Sequence, residues 1–346
     1  ATRSRTSMPL QSQRATAARR LAARAAARFM AHSLGEAVRQ RVGYSVRLDT
    51  KVGPRTRIEV VTEGILTRML QHDPSLQEVG LVVFDEFHER SLQADLALAL
   101  CLDVQGALRE DLRLLVMSAT LDGTAVARLL GDVPVLTSEG RSYPVETRYR
   151  PTRAQFAREP GAFCDEVAQA VRAALQEQSG SLLVFLPGEA EIRRVERALR
   201  SAGLGAEVML APLYGQLTAP AQDSAIQPAP AGRRKVVLAT AIAETSLTID
   251  GVDVVVDCGL AREPSFNPAT GMTGLHTVKI SRASSEQRAS RAVRLRPGKC
   301  YRLWSADQQQ QLSEQGTPEI LNADLAPLAM QLLQWGLDDP AQLRWL

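Results

Sequence analysis

The residues best equipped for chemistry lie in one stretch, Val79-Gly-Leu-Val-Val-Phe-Asp-Glu-Phe-His-Glu-Arg90. Leu81 to Phe84 is a short, apolar, β-rich run that stops at two adjacent carboxylates, Asp85 and Glu86. This is the pattern of a buried parallel strand whose C-terminal end opens onto a site. Ligands of open α/β sheets collect at that edge. There one carboxylate can hold a Mg²⁺ bound to phosphates, while its neighbour orients and deprotonates an attacking water. His88 would report the state of the site to a neighbouring element. A buried strand running into a solvated acidic turn gives the same local pattern, so the surroundings must decide.

The chain has 346 residues, 45% of them apolar and 23% charged, enough for two cores of an ordinary soluble protein. Every apolar run is too short to span a membrane. Cys101, Cys164, Cys258 and Cys300 are scattered without C-x-x-C pairing, which suggests neither a metal site nor a disulfide framework and fits a reducing cytoplasm. The net charge of +3 is unevenly placed. Residues 1–35 hold seven Arg and no acid, and residues 279–302 hold eight bases against Glu286 alone. Such patches suggest a polyanionic partner, although a solvated Arg-rich face would have the same composition.

The elements that must position these residues follow in order. Residues 1–17 are polar, without apolar periodicity, and read as disordered. Residues 19–31 read as a helix with Arg20, Arg24 and Arg28 along one face and Leu21, Ala25 and Met30 on another. Short strands are expected at 43–47 and 57–61, with Thr62 capping a helix whose free N–H groups could meet an anion. Residues 92–104 read as a helix and 112–117 as a second buried strand, ending at Ser118-Ala-Thr120. A further strand is expected within 133–148. A Pro/Arg-rich hinge places a domain boundary near 140–155. A helix over 162–177 then restarts the alternation, with strands at 181–186, 208–210, 235–239 and 252–257, so a second doubly wound α/β lobe is expected. Within it, residues 239–250 carry a dense set of hydroxyls and acids, and 266–271 read as a hairpin turn. Arg288, Arg291 and Arg294 would form one row on a helix, either a solvated face or a contact to polyphosphate.

The order and spacing of Arg55-Thr-Arg-Ile-Glu-Val-Val-Thr-Glu-Gly-Ile-Leu66, Asp85-Glu-Phe-His88, Ser118-Ala-Thr120, Ala243-Glu-Thr-Ser-Leu-Thr-Ile249 and Gln287-Arg-Ala-Ser-Arg-Ala-Val-Arg294 resemble the superfamily 2 DExH/DEAH-box helicases, in particular the bacterial HrpB type. The resemblance implies an α/β fold of two RecA-like doubly wound parallel-sheet lobes, residues 18–145 and 146–305, the first N-terminally incomplete, followed by the start of a winged-helix domain at 306–346. It implies ATP and Mg²⁺ as cofactors and single-stranded nucleic acid, RNA rather than DNA, as the partner of a cytoplasmic monomer. Asp85 and Glu86 would serve the metal and the water. His88, Ser118 and Thr120 would couple nucleotide state to lobe movement, and Thr248, Asp250 and Gln287 would touch the nucleotide. Arg291 and Arg294 would be arginine fingers. Arg20, Thr62 and Gly64, with Thr240 and Thr245, would meet the nucleic-acid backbone, and the stretch from Phe266 to Leu275 would be a strand-separating hairpin.

Three positions depart from the family pattern. Its arginine-finger glycines are Ser290 and Val293 here, and its Pro-Arg-Arg is Ala18-Arg19-Arg20. No G-x-x-x-x-G-K-[ST] phosphate loop occurs in these residues. A two-lobe nucleic-acid-binding protein without ATP turnover is therefore the competing expectation.

Overall fold

The structure, a computed structural model, describes residues 12–17, 19–119, 123–138, 143–244, 249–292 and 297–346. It divides into two compact units, Ala1–Thr137 with Thr317–Leu346, and Ser138–Gly316.

The first unit opens with β1 (Ser12–Ala17) and α1 (Arg20–Ser33), followed by β2 (Val42–Val46), β3 (Asp49–Lys51) and β4 (Ile58–Thr62). After α2 (Glu63–His72) come β5 (Val79–Phe84), α3 (Leu92–Ala107), β6 (Arg113–Val116) and α4 (Gly123–Leu129). The sheet order is β3-β2-β4-β1-β5-β6, parallel apart from the short β2–β3 pair. The Ser12–Ala17 segment, expected to be disordered, is thus a strand between β4 and β5. It lacks an apolar signal because its side chains are satisfied by polar partners. Ser12 Oγ donates to the Glu78 carbonyl (2.7 Å), Thr16 Oγ1 to the Val83 carbonyl (3.2 Å), and Arg14 pairs with Glu59 (3.2 Å).

The second unit contains β7 (Val145–Tyr149), α5 (Pro160–Glu177), β8 (Ser181–Phe185), α6 (Glu189–Ser201) and β9 (Val208–Leu213). It continues through α7 (Ala219–Ile226), β10 (Arg234–Ala239), β11 (Val252–Asp257) and the antiparallel hairpin of β12 (Leu260–Asn267) and β13 (Met272–Lys279). Then follow α8 (Arg282–Ser290), β14 (Gly298–Arg302) and α9 (Ala306–Gln310). Its main sheet, β7-β14-β11-β8-β10-β9, is parallel throughout. Residues 133–138 form no strand, so β7 alone represents the strand expected in 133–148. Both main sheets have the doubly wound α/β character expected of RecA-like lobes.

The chain then returns to the first unit. Residues from Thr317 onward, with α10 (Ala326–Trp335), pack with the first unit, where Leu328, Leu332 and Leu343 join the core built by α2, α3 and β5. Trp335 Nε1 donates to Asp103 (2.8 Å), and Arg344 Nη2 to the Leu102 carbonyl (3.2 Å). The amphipathic return segment finds its apolar partner on α3, whose sixteen residues are buried almost all round and need cover on every side. Leu332→Ala is therefore expected to destabilise the first unit by about 2–5 kcal/mol and to leave the second unit's unfolding midpoint unchanged. Urea titration followed by exchange in β5 and β8 checks this; no shift in β5 would mean that the return segment is not part of the first core.

Candidate active site

Parallel register fixes which residues of the first unit share an edge. Thr62 pairs with Ala17, Thr16 with Phe84, and Phe84 with Val116. Thr62 is the last residue of β4, and the Arg19–Arg20 step, Asp85 and Ser118 follow the C-terminal ends of β1, β5 and β6, so the four are spread over three strand spacings or about 15 Å. Gly64 lies one residue into the first turn of α2. Thr62 occupies the N-cap position of α2, but its hydroxyl makes no capping bond. Arg20 and Arg28 are exposed on α1, whereas Arg24 is directed to Asp49 (3.8 Å) and its side chain is mostly covered, so the expected three-Arg face is reduced to two. The buried side of α1 is Leu21, Ala22, Ala23, Ala27 and Ala31, small enough to let the helix lie close on β2 and β4.

After β5 the backbone turns sharply. Glu86 adopts a left-handed conformation (φ 53°), Phe87–Glu89 form a single 3₁₀ turn, and Arg90 is left-handed again (φ 48°). Phe87 is buried edge-on against Phe84, and its N–H donates to the Met117 carbonyl (3.1 Å), tying the turn to the end of β6. Asp85 Oδ1 accepts from the Glu86 N–H (2.9 Å), and Glu86 Oε2 lies 3.6 Å from His88 Nε2. Burial, and next the adjacent Glu86 charge, push the Asp85 carboxyl above its ordinary value. Two crowded carboxylates whose repulsion a cation would relieve are a donor set that fits a divalent metal with its remaining ligands drawn from phosphates. Among the described residues no cluster of three or more His, Cys, Asp or Glu offers a complete protein-only site.

In the second unit Thr240 follows the C-terminal end of β10, while Asp250 is exposed just before β11 begins, at the other end of that sheet. Of the row expected from Arg288, Arg291 and Arg294, only Arg288 lies within a helix among the described residues. Helix α8 ends at Ser290, whose hydroxyl donates to the Gln287 carbonyl (2.7 Å), and Arg291 is its C-cap. Gln287 is half-buried. Arg288 is 1% exposed and bonded to Glu244 (2.8 Å), to Asp257 (3.0 Å) and to the Leu260 carbonyl (3.2 Å), with its guanidinium 4.8 Å from the Phe185 ring centroid. Burial works against its charge, but Asp257 and Glu244 outweigh that and raise the guanidinium further. Thr120, Thr245, Thr248 and Arg294 lie outside the described residues.

The DEAD/DEAH box helicase family model matches residues 8–129, and the helicase conserved C-terminal domain matches 164–296, one in each unit. The ATP-dependent RNA helicase HrpB of Escherichia coli (strain K12) is 56% identical over 328 residues, 95% of this chain and 40% of that protein. The chain belongs to the DExH/DEAH-box helicase family. A crystal structure described as the E. coli DEAH/RHA helicase HrpB matches with a TM-score of 0.88 at 53% identity, covering 97% of this chain and 42% of that one. A second, described as the E. coli DExH-box NTPase HrpB, matches with a TM-score of 0.82 at 53% identity, over 97% and 41% of the two chains. The chain thus spans under half the length of these helicases.

One residue of this sheet edge carries no signal in the sequence although both its neighbours do. Glu63 is buried between Thr62 and Gly64, and the Ser91 hydroxyl donates to it. Ser91 in turn caps α3 by accepting from the Ala94 N–H (3.0 Å). A Glu in the first turn of a helix ordinarily points to solvent, so nothing in the sequence marked it. Burial, opposed by the Ser91 bond and reinforced by Glu89, Glu319 and Asp95, pushes its carboxyl from 4.5 up to about 7. Between those values the folded protein holds a proton that the unfolded chain has released. Stability therefore declines as pH rises through this window, by at most about 1.4 kcal/mol per pH unit. Glu63→Gln is expected to flatten the decline, as measured by urea midpoints from pH 5 to pH 8; parallel curves for the two proteins would refute the assignment.

Proposed function

We propose that this chain carries the two RecA-like lobes of an ATP-dependent RNA helicase of the DExH class. The observation that carries the reading is the first unit's sheet edge, where the Asp85–Glu86 pair stands between the end of β1, leading to Arg20, and the end of β6, leading to Ser118. A carboxylate pair for phosphoryl chemistry and a phosphate-binding face for a strand then share one rigid edge. RNA is the proposed strand because the E. coli relative is named an RNA helicase. The proposed setting is a cytoplasmic monomer; among the described residues no helix is long and apolar enough to cross a membrane.

Asp85 would hold Mg²⁺, which when bound neutralises charge on the phosphoryl oxygens. Glu86 would orient the attacking water and take its proton, with His88 close enough to share or redirect that charge. Ser118 and Thr120, beyond the end of β6, would carry the state of the turn onward. From the second lobe Gln287, Thr248 and Asp250 would contact the nucleotide. Arg291 and Arg294 would meet the charge that develops on the transferred phosphoryl group. Arg288 has no part in this, since its guanidinium is spent on Asp257 and Glu244. Arg20, Thr62 and Gly64, with Thr240 and Thr245, would contact RNA phosphates. Binding through phosphates releases counterions, so the affinity of residues 1–346 for single-stranded RNA is expected to fall about tenfold to hundredfold between about 50 and 200 mM salt. A flat salt response in fluorescence anisotropy would remove the phosphate contacts from the scheme.

The competing reading, binding without turnover, is favoured by Ser290 and Val293 at the family's glycine positions, and residues 1–346 as they stand hold no G-x-x-x-x-G-K-[ST] phosphate loop. Backbone N–H groups and a Lys of such a loop do much of the positioning in phosphoryl transfer. Purified residues 1–346 are accordingly expected to release phosphate at background rate. A fusion bearing a G-x-x-x-x-G-K-[ST] strand-loop-helix ahead of residue 1 is expected to hydrolyse ATP with RNA stimulation, and Glu86→Gln to abolish turnover but not ATP binding. Hydrolysis undiminished by Glu86→Gln would show that the general base lies elsewhere.

A further inference from the structure

The turn that carries Glu86 has a second hinge, and residues distant in sequence hold it. Arg90 is a left-handed, non-glycine residue, a conformation that persists only where surrounding contacts over-determine it. Glu86, the first hinge, is held from inside the first lobe by Asp85 Oδ1 and, through Phe87, by β6. Arg90 is held largely from the return segment. The Glu319 N–H donates to the Arg90 carbonyl (3.0 Å), and the Glu319 carboxylate accepts from the Leu92 N–H (2.8 Å), so one residue grips the backbone on both sides of Ser91. Leu92 is the first residue of α3, and its N–H is one of the donors that a helix start leaves without an internal partner. The Arg90 guanidinium closes the arrangement, donating to both oxygens of buried Asp95 (3.1 and 3.2 Å) and to the Leu346 carbonyl (3.2 Å).

The grip is anchored independently of the turn. The return segment runs along α3 from its first residues to its last, with Gln331 near Gln93 (3.5 Å), Trp335 bonded to Asp103, and Leu328 and Leu332 in the core. Glu319 stands two residues after Thr317, where the chain comes back from the second unit.

We propose that Glu319 is a positioning residue for the reaction: by fixing the Arg90 carbonyl and the Leu92 N–H it holds the left-handed hinge closed and keeps Asp85 and Glu86 at the edge of the sheet. The catalytic part of this proposal rests on the helicase reading above, while the mechanical part does not. Hydrogen exchange of purified residues 1–346 tests the mechanical part. Glu319→Ala is expected to speed exchange of the amides of residues 86–92 by about tenfold or more, with β4 and α10 unchanged. Glu319→Gln keeps an oxygen that can accept from Leu92 and is expected to stay within about twofold of the parent. Unchanged exchange at 86–92 in Glu319→Ala overturns the proposal; so does equal acceleration in β4 and α10, which would make Glu319 a general anchor.

In the phosphate-loop fusion, Glu319→Ala is expected to lower kcat about tenfold with KM for ATP unchanged, and Glu319→Gln to restore it. An unchanged kcat alongside accelerated exchange would refute the catalytic role. A fusion that is inactive with Glu319 intact would count against the helicase reading, and the exchange result would still decide the brace.

Discussion

The first unit depends on the pairing of β1 with β4 on one side and β5 on the other. That strand sets the register of the edge where Thr62, Arg20 and Asp85 emerge, and a one-residue slip of β1 would turn its own inward side chains to the other face. Its sequence, Ser-Gln-Arg-Ala-Thr-Ala, is an unusual one for the middle of a parallel sheet, which is normally covered on both faces by apolar residues. The sheet tolerates it because each polar side chain that turns inward meets a partner. Ser12 and Thr16 donate to carbonyls of the β5 side, and Arg14 meets Glu59 of β4, which also accepts from Ser45 of β2 (2.5 Å). A buried polar group without such a partner is expensive, so these bonds also select the register.

The second lobe solves a similar problem around Arg288. A buried guanidinium is acceptable only when paired and hydrogen-bonded, and here Glu244 comes from the loop that leaves β10 and Asp257 from the end of β11. The residue therefore staples α8 to Glu244 and to the end of β11, with the Phe185 ring of β8 against its guanidinium. Gln287 and Arg291 flank this staple and inherit their positions from it. A side chain that looks in sequence like one more phosphate contact is instead what fixes the helix from which such contacts would be made.

The same division between holding and acting appears in the turn after β5. Glu86 and Arg90 are both left-handed, and the groups that hold them are Phe87, Asp85, Asp95 and a glutamate from the far end of the chain. The first lobe is therefore built from two segments of sequence separated by the whole second lobe, and the second of these segments caps the helix that follows the acidic pair.

The sequence by itself determined the parts that depend on local pattern. The apolar run ending at Asp85 and Glu86, the strand ending before Ser118, the alternation that makes a second parallel sheet and the hairpin around Asn267–Gly271 all follow from periodicity and turn chemistry, which act over a few residues. The family resemblance rested on the order of five short motifs between residues 55 and 294. Only the tertiary structure decided the rest. Ser12–Ala17 becomes a central strand through partners on β4 and in and just before β5, and residues 317–346 belong to the first unit because α3 offers them an apolar surface. Arg288 is buried by two carboxylates that are 31 and 44 residues away in sequence, and Glu63 is made neutral-prone by the closure of α3 over it. For Ser12–Ala17, Arg288 and Glu63 a polar or charged side chain has its role set by whichever distant group satisfies it, and for residues 317–346 the apolar partner lies more than two hundred residues away; neither kind of pairing leaves a periodic trace in the sequence.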